Sequence, residues 1–210
     1  AQLAKRRNVK VVQGQGMFTA SNTLEVIQQD AGSQKITFDH CILASGSRPA
    51  RIPAFDIGSP RVMDSTGALE LEDIPESLLV VGGGYIGLEM GTVYAELGSR
   101  VSVVELTDSL LPGADRDLVK PLHKRLGNLF EAIRLNTKVT GLKDIGNGVE
   151  VSFEGPEGQT TQTFSRVLVA VGRRPNSDGI GLENTNVVVD SKGFVEVDKQ
   201  QRTADSHVIA

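Results

Sequence analysis

The stretch LLVVGGGYIGLEMG, residues 78–91, constrains the fold of this chain more than any other. An apolar run, SLLVV, enters a glycine-rich turn and leaves it as a segment with apolar residues at helical spacing that stops at Gly98. A second apolar run, RVSVVEL, follows. Strand, turn, helix and strand within about thirty residues form a βαβ unit, and the right-handed crossover rule makes its two strands parallel. The expected class is α/β.

The turn itself has the spacing G-x-G-x-x-G, met by Gly82, Gly84 and Gly87, with Gly83, Tyr85 and Ile86 between them. The first glycine permits a tight turn off the strand, the second lets the backbone approach a pyrophosphate, and the third lets helix and strand pack closely. The helix N-terminus adds free N–H groups and the positive end of its dipole. A glycine turn of this kind also occurs for packing alone, but here Glu105 ends the next strand, eighteen residues beyond Gly87. A carboxylate at that place accepts hydrogen bonds from an adenosine ribose. It would repel a 2′-phosphate, and no arginine occurs between Arg100 and Arg116 to receive one, so the expected ligand is NAD rather than NADP. Gly172, in LVAVGRRPN, ends another buried strand, where its backbone could face the same nucleotide or serve only the turn before Pro175. Tyr85 and Glu89 lie four apart on one helix face, and spacing alone assigns them little.

Around this unit the chain reads as further strands. VKVVQGQGMFTA, TLEVIQQD and QKITFDHCILAS predict a small antiparallel meander, and the Gly-, Pro- and Ser-rich GSRPARIPAFDIGSP predicts a domain boundary. GADRDLVKPLHKRLGNLF predicts a helix with Asp115 and Asp117 in its first turn and basic residues late; Pro121 implies either a later start or a kink. AIRLN predicts a third parallel strand, KVTGLKDI, GVEVSFEG and QTTQTFS a second meander, RVLVAVG a buried strand, and the tail two short strands.

With 210 residues, 39% apolar and 23% charged, the chain can bury a sizeable core. A net charge of -4 without any basic stripe argues against nucleic acid as a partner. The apolar runs are too short and interrupted for a membrane span, and AQLAKRRNVK lacks the apolar core of a signal peptide, so a cytoplasmic (bacterial) or mitochondrial-matrix location is expected. The one cysteine, Cys41, has no partner for an internal disulfide, and DHCILASG places it at the start of a buried strand as a packed small hydrophobe.

LASGSRP, LLVVGGGYIGLEMG, VSVVE, LVAVGRRPN and VDKQQRT, in that order, resemble the flavoprotein disulfide reductases, and the resemblance spans essentially all 210 residues. Within that family the likeness is greatest to the branch that oxidises protein-bound dihydrolipoamide. The glutathione-reducing relatives use NADPH and carry arginines after the second strand that are absent here. The resemblance implies an internal part of a longer protein: residues 1–48 from the C-terminal part of an FAD-binding domain, 49–174 a Rossmann-like NAD-binding domain of parallel sheet and β-meander, and 175–210 the start of the return to the FAD or central domain. It implies that Gly16 and the turn Ser45, Gly46, Ser47 lie against FAD, and that the turn from Gly82 to Gly87 together with Glu105 holds NAD, with Val139 and Gly172 as further contacts. It puts Tyr85 between nicotinamide and flavin and Glu89 near the nicotinamide carboxamide.

The departures from that family matter as much. Its first G-x-G-x-x-G, its pair of redox cysteines, its catalytic His–Glu pair and its aspartate for the flavin ribityl chain have no counterpart here, and His123 and His207 lack the matching neighbours. No catalytic or metal-binding residue is therefore assigned, and this stretch by itself is expected to bind NAD at most. The resemblance implies that the full-length protein is a homodimer that serves 2-oxo acid dehydrogenase complexes through their lipoyl domains. The alternatives are an NADH-linked disulfide or metal-ion reductase of the same family and a non-catalytic NAD-binding module.

Overall fold

The computed structural model describes residues 2–28 and 32–210. The end of TLEVIQQD beyond Gln28 and the first part of the DAGS turn lie outside the described residues. The chain divides into two units, one of residues 49–173 and one made of the residues up to 48 together with 174–210.

In the 49–173 unit the strands are β1 (Val62–Met63), β2 (Ser77–Val81), β3 (Arg100–Val104), β4 (Ala132–Arg134), β5 (Lys138–Asp144), β6 (Val149–Gly155), β7 (Gly158–Phe164) and β8 (Arg166–Val169). Five of them form a parallel sheet in the order β1-β8-β2-β3-β4, with Leu79 opposite Val167 and Val81 opposite Val104. The other three, β5, β6 and β7, form an antiparallel meander. The near-continuous apolar runs of β2, β3 and β8 follow from burial on both faces, as parallel sheets require. Leu78 and Val80, Val101 and Val103, and Leu168 face a core shared with the helices, through Leu88, Tyr94 and Leu126. The alternate residues Leu79, Val81, Val104, Val167 and Val169 face a second core built on the meander by Val139, Val149, Val151, Phe153 and Phe164. Each fully buried aliphatic side chain contributes about 1.5–3 kcal/mol relative to exposure.

Three helices complete the unit: α1 (Ser65–Glu70), α2 (Tyr85–Glu96) and α3 (Arg116–Leu129). Asp64 caps α1 by accepting from the Thr66 and Gly67 N–H groups at 2.8 and 3.1 Å, and the Tyr94 hydroxyl ties α2 to α1 by donating to the Ala68 carbonyl at 2.9 Å. α3 runs through Pro121 as one helix, starting well before it. Proline cannot return a hydrogen bond to the preceding turn, and in α3 that loss falls on the Asp117 carbonyl. The basic residues expected late in this helix, Lys124 and Arg125, precede its last turn, which has none.

The other unit holds a short helix (Gln2–Arg6) and an antiparallel meander of Gln15–Ala20, Thr23–Gln28 and Gly32–Thr37. Two expectations are corrected here. The first strand starts at Gln15, and Val9 and Val11 ahead of it are exposed. QKITFDHCILAS is not one strand: it breaks after Thr37, and Cys41–Ile42 pairs in parallel with Val208–Ile209 in a separate ribbon. Cys41 is thus half-buried, not at the head of a buried strand, and Ile42 is 78% exposed. Burial still pushes the Cys41 thiol pKa up, which disfavours the thiolate. Of the two strands expected in the tail, Val208–Ile209 forms, while Val189 and Val195 make a single bridge. Phe18, Leu182, Val187 and Val208 form the core of this unit.

Candidate functional site

The glycine turn sits where β2 hands over to α2, at the carboxyl ends of the parallel strands. Its glycines have different reasons to be there. Gly82 has φ 110°, and a Cβ on it would stand 2.5 Å from the Ala170 carbonyl oxygen. A Cβ on Gly87 would penetrate the Gly82 carbonyl oxygen and stand 2.9 Å from a Val80 methyl, so this glycine is what lets α2 lie close on β2. A Cβ on Gly83 would stand 2.8 Å from a Leu110 methyl and 3.1 Å from the Glu105 Cβ. Gly84 is different: its φ is −77°, and a Cβ there would meet nothing within 4 Å. Nothing inside the protein calls for glycine at that position, whereas a ligand approaching the backbone would.

Gly84 is the N-cap of α2, so the first-turn amides of Tyr85, Ile86 and Gly87 have no partners within the helix. Tyr85 and Ile86 line a cavity of about 760 Å³, a volume ordinary for a small-molecule site. Gly82, Gly84, Tyr85, Ile86, Glu105, Val139 and Gly172 all line it. Tyr85 is 63% exposed, so it does not pack into the core as an aromatic at a helix start otherwise would. Gly172 has φ 127°, and a Cβ on it would meet nothing within 4 Å, so its backbone conformation alone accounts for the glycine. Glu89, one turn beyond Tyr85, is exposed and does not line the cavity.

Glu105 follows β3 and is only 8% exposed. Its Oε2 accepts the Gly83 N–H at 2.6 Å, and its Oε1 accepts both the N–H and the hydroxyl of Thr107, at 2.9 and 2.8 Å. Gly83 is therefore turned inward, to the carboxylate rather than to the cavity. Sequence reasoning did not single out Lys138 and Arg173, two basic residues on the cavity wall. Each stands next to a residue it did name, Val139 and Gly172, and charge beside a phosphate-binding turn was the signal to follow.

Gly16, Ser45, Gly46 and Ser47 belong to the other unit. Gly16 lies in the strand Gln15–Ala20, and a Cβ on it would meet nothing within 4 Å. The Ser45 and Gly46 carbonyls accept from the side chain and backbone amides of Asn176, each at 3.0 Å, and Gly46 has φ 71°. Arg48 beside them donates to Asp178 at 2.9 and 2.8 Å and to Asn176 at 2.9 Å. This pairing with Arg48 holds the Asp178 carboxyl pKa below its ordinary value.

The family model for pyridine nucleotide-disulphide oxidoreductases matches residues 1–210. The chain belongs to that family. Membership in the pyridine nucleotide-disulphide oxidoreductases implies use of FAD and NAD(P). A dihydrolipoyl dehydrogenase of Vibrio parahaemolyticus is 46% identical over 99% of this chain, and one of Haemophilus influenzae 45% identical over all of it. Among solved structures, the HOCl-induced flavoprotein disulfide reductase RclA of Escherichia coli superposes with a TM-score of 0.84 at 30% identity, covering 99% of this chain and 46% of that one. The chain spans 44% of the length of the curated relatives it matches. The α/β class expected from the βαβ pattern is the one found, a parallel sheet within the fold of the flavoprotein disulfide reductases. No helix among the described residues is long and apolar enough to cross a membrane.

Proposed function

We propose that residues 49–173 bind NAD, with the pyrophosphate over the glycine turn and the adenosine ribose at Glu105, as the nicotinamide-cofactor domain of a dihydrolipoyl dehydrogenase. Gly84 carries this reading, because its conformation and surroundings give the protein no internal need for glycine at the mouth of the cavity. The free first-turn amides and the dipole of α2 bind the phosphates, the Glu105 carboxylate accepts from the ribose, and Val139 and Gly172 bound the nucleotide on the cavity wall. Tyr85, exposed on the same wall, covers the nicotinamide end. Gly16 has the same unexplained absence of a side chain, and with the turn Ser45–Ser47 it would lie against FAD. The chemistry that bound NAD and FAD supply is two-electron hydride exchange, while the protein's part is placement and exclusion of water.

In the full-length protein this exchange would complete the oxidation of dihydrolipoamide carried on the lipoyl domains of 2-oxo acid dehydrogenase complexes, by a homodimer in the bacterial cytoplasm or mitochondrial matrix. Calorimetric titration of the 210-residue chain tests the binding. NAD should bind at least about tenfold more tightly than NADP, since a 2′-phosphate would meet the buried carboxylate. Gly84→Ala should abolish NAD binding while costing about 1 kcal/mol of stability, the disadvantage of alanine at a helix N-cap. Equal affinity for the two nucleotides, or unimpaired binding by Gly84→Ala, would overturn the reading.

A further inference from the structure

Resting on the nucleotide site proposed above, a second feature of the same unit assigns a role to a residue that does not line the cavity. Arg116 is the first residue of α3 and is exposed, yet its guanidinium turns back onto the preceding loop. Nη1 donates to the Leu110 carbonyl at 3.1 Å, Nη2 to the Leu111 and Ala114 carbonyls at 2.7 and 2.6 Å, and Nε to the Ala114 carbonyl at 3.0 Å. The loop it closes holds Leu111 at φ 49° and Gly113 at φ 94°. A leucine in the left-handed region persists only where its surroundings fix it. Here the guanidinium bonds to the carbonyls on both sides do so.

In that conformation Leu111 offers its N–H to the Gly83 carbonyl at 2.9 Å, and the fully buried Leu110 side chain lies against Gly83. The N–H of Gly83 is fixed separately, by Glu105. Gly83 is thus gripped at both ends. The peptide that joins it to Gly84 is trans, so its carbonyl and its N–H point in opposite directions. Holding the Gly83 carbonyl on the Leu111 side aims the Gly84 N–H the other way. Oriented donors of this kind gain by not having to reorganise when the anion arrives.

We propose that Arg116 is a positioning residue for dinucleotide binding, acting through Leu111 and Gly83 to orient the Gly84 N–H toward the pyrophosphate. Lysine at this position would keep the charge and lose the planar fork that reaches three carbonyls at once. Because Arg116 is exposed, its truncation opens no cavity in the core.

The test compares the 210-residue chain with its Arg116→Ala and Arg116→Lys variants by ¹H–¹⁵N NMR, titrating ADP-ribose, which carries the pyrophosphate, and adenosine, which does not. Both variants should shift the free-state amide resonances of Gly84 and Leu111 and lose about tenfold in ADP-ribose affinity, the effect of one well-oriented charge-assisted hydrogen bond. Adenosine affinity should stay within about twofold, a separation that general loosening of the fold would not produce. Full affinity in Arg116→Lys would show that only charge matters, and an equal loss for adenosine would show a merely structural role; either overturns the proposal. If the unsubstituted chain binds no ADP-ribose, it is the proposed function that fails. The free-state spectra then still judge Arg116, since an unmoved Gly84 resonance in both variants overturns its role and a moved one supports it.

Discussion

Glu105 accepts three hydrogen bonds from the protein itself. An ionised carboxylate offers about four lone-pair sites, and the Gly83 amide and the two donors of Thr107 take three of them. The Thr107 hydroxyl has a second acceptor in reach, the Ser109 carbonyl at 3.0 Å, so it can release Glu105 without losing its hydrogen bond. Glu105→Ala should accordingly do two things. NAD binding should weaken by about 1–3 kcal/mol through loss of charge-assisted bonds to ribose, and stability should fall by about 1–3 kcal/mol because the buried Gly83 N–H is left without an acceptor. Calorimetry and thermal melting measure these separately, and a variant of unchanged melting temperature would show that the Gly83 bond contributes nothing. Tyr85 is the opposite case. With most of its surface exposed, Tyr85→Ala should lower the melting temperature by less than about 3 °C, since surface substitutions stay near 0.5 kcal/mol. A fall of more than about 8 °C would mean that the ring belongs to the core.

At the scale of elements, what could be read in advance was whatever is buried on a regular period. The runs of β2, β3 and β8 and the alternation in β5 and β6 are dictated by two cores pressing on the sheet, so their residues carry the pattern themselves. The elements that escaped are short or hold together by other means. β1 has two residues, and α1 has six and owes its start to the Asp64 cap. The alternating valines Val9 and Val11 imitate a strand but belong to none among the described residues and stay exposed. Of the candidate site, the glycine turn and Glu105 were legible because their spacing is chemical. The grip of Arg116 on the 110–114 loop was not, since side-chain bonds to backbone carbonyls leave no periodic trace in a sequence. A polar residue breaks the pattern from inside: Ser102, in the middle of β3, is 1% exposed and its hydroxyl has no hydrogen-bond partner among the described residues. Ser102→Ala removes that unpaired group at almost no change of volume and should stabilise the chain by up to about 1 kcal/mol, measurable as a rise in the denaturant midpoint at constant m.

For the whole molecule, acid is predicted to act first on the unit of residues up to 48 with 174–210. Asp205 is buried there, and burial by itself raises its carboxyl pKa. The hydrogen bonds from Ser21, Asn186 and His207 and the charge of His207 outweigh that and hold the pKa below the ordinary value. A depressed carboxyl pKa stabilises the fold above its unfolded value of about 3.9, and that contribution drains away as pH falls through the lower folded value. Asp205→Asn should therefore cost stability at neutral pH and flatten the loss below about pH 4; a destabilisation of the same size at every pH would contradict this. The two units are also related by the path of the backbone, because residues 49–173 interrupt the other unit between its two pieces. Within that insertion the Ala50 N–H donates to the Gly172 carbonyl at 3.0 Å, so its two ends lie side by side. Once folded, the insertion behaves as a short bridge in place of a long tether. For a loop of this length it removes about 4 kcal/mol of closure entropy from the task of bringing the outer pieces together. The order of events in folding follows: the sheet and helices around the glycine turn form first, and amide protection at Phe18 and Val208 should appear after that at Val80 and Val103.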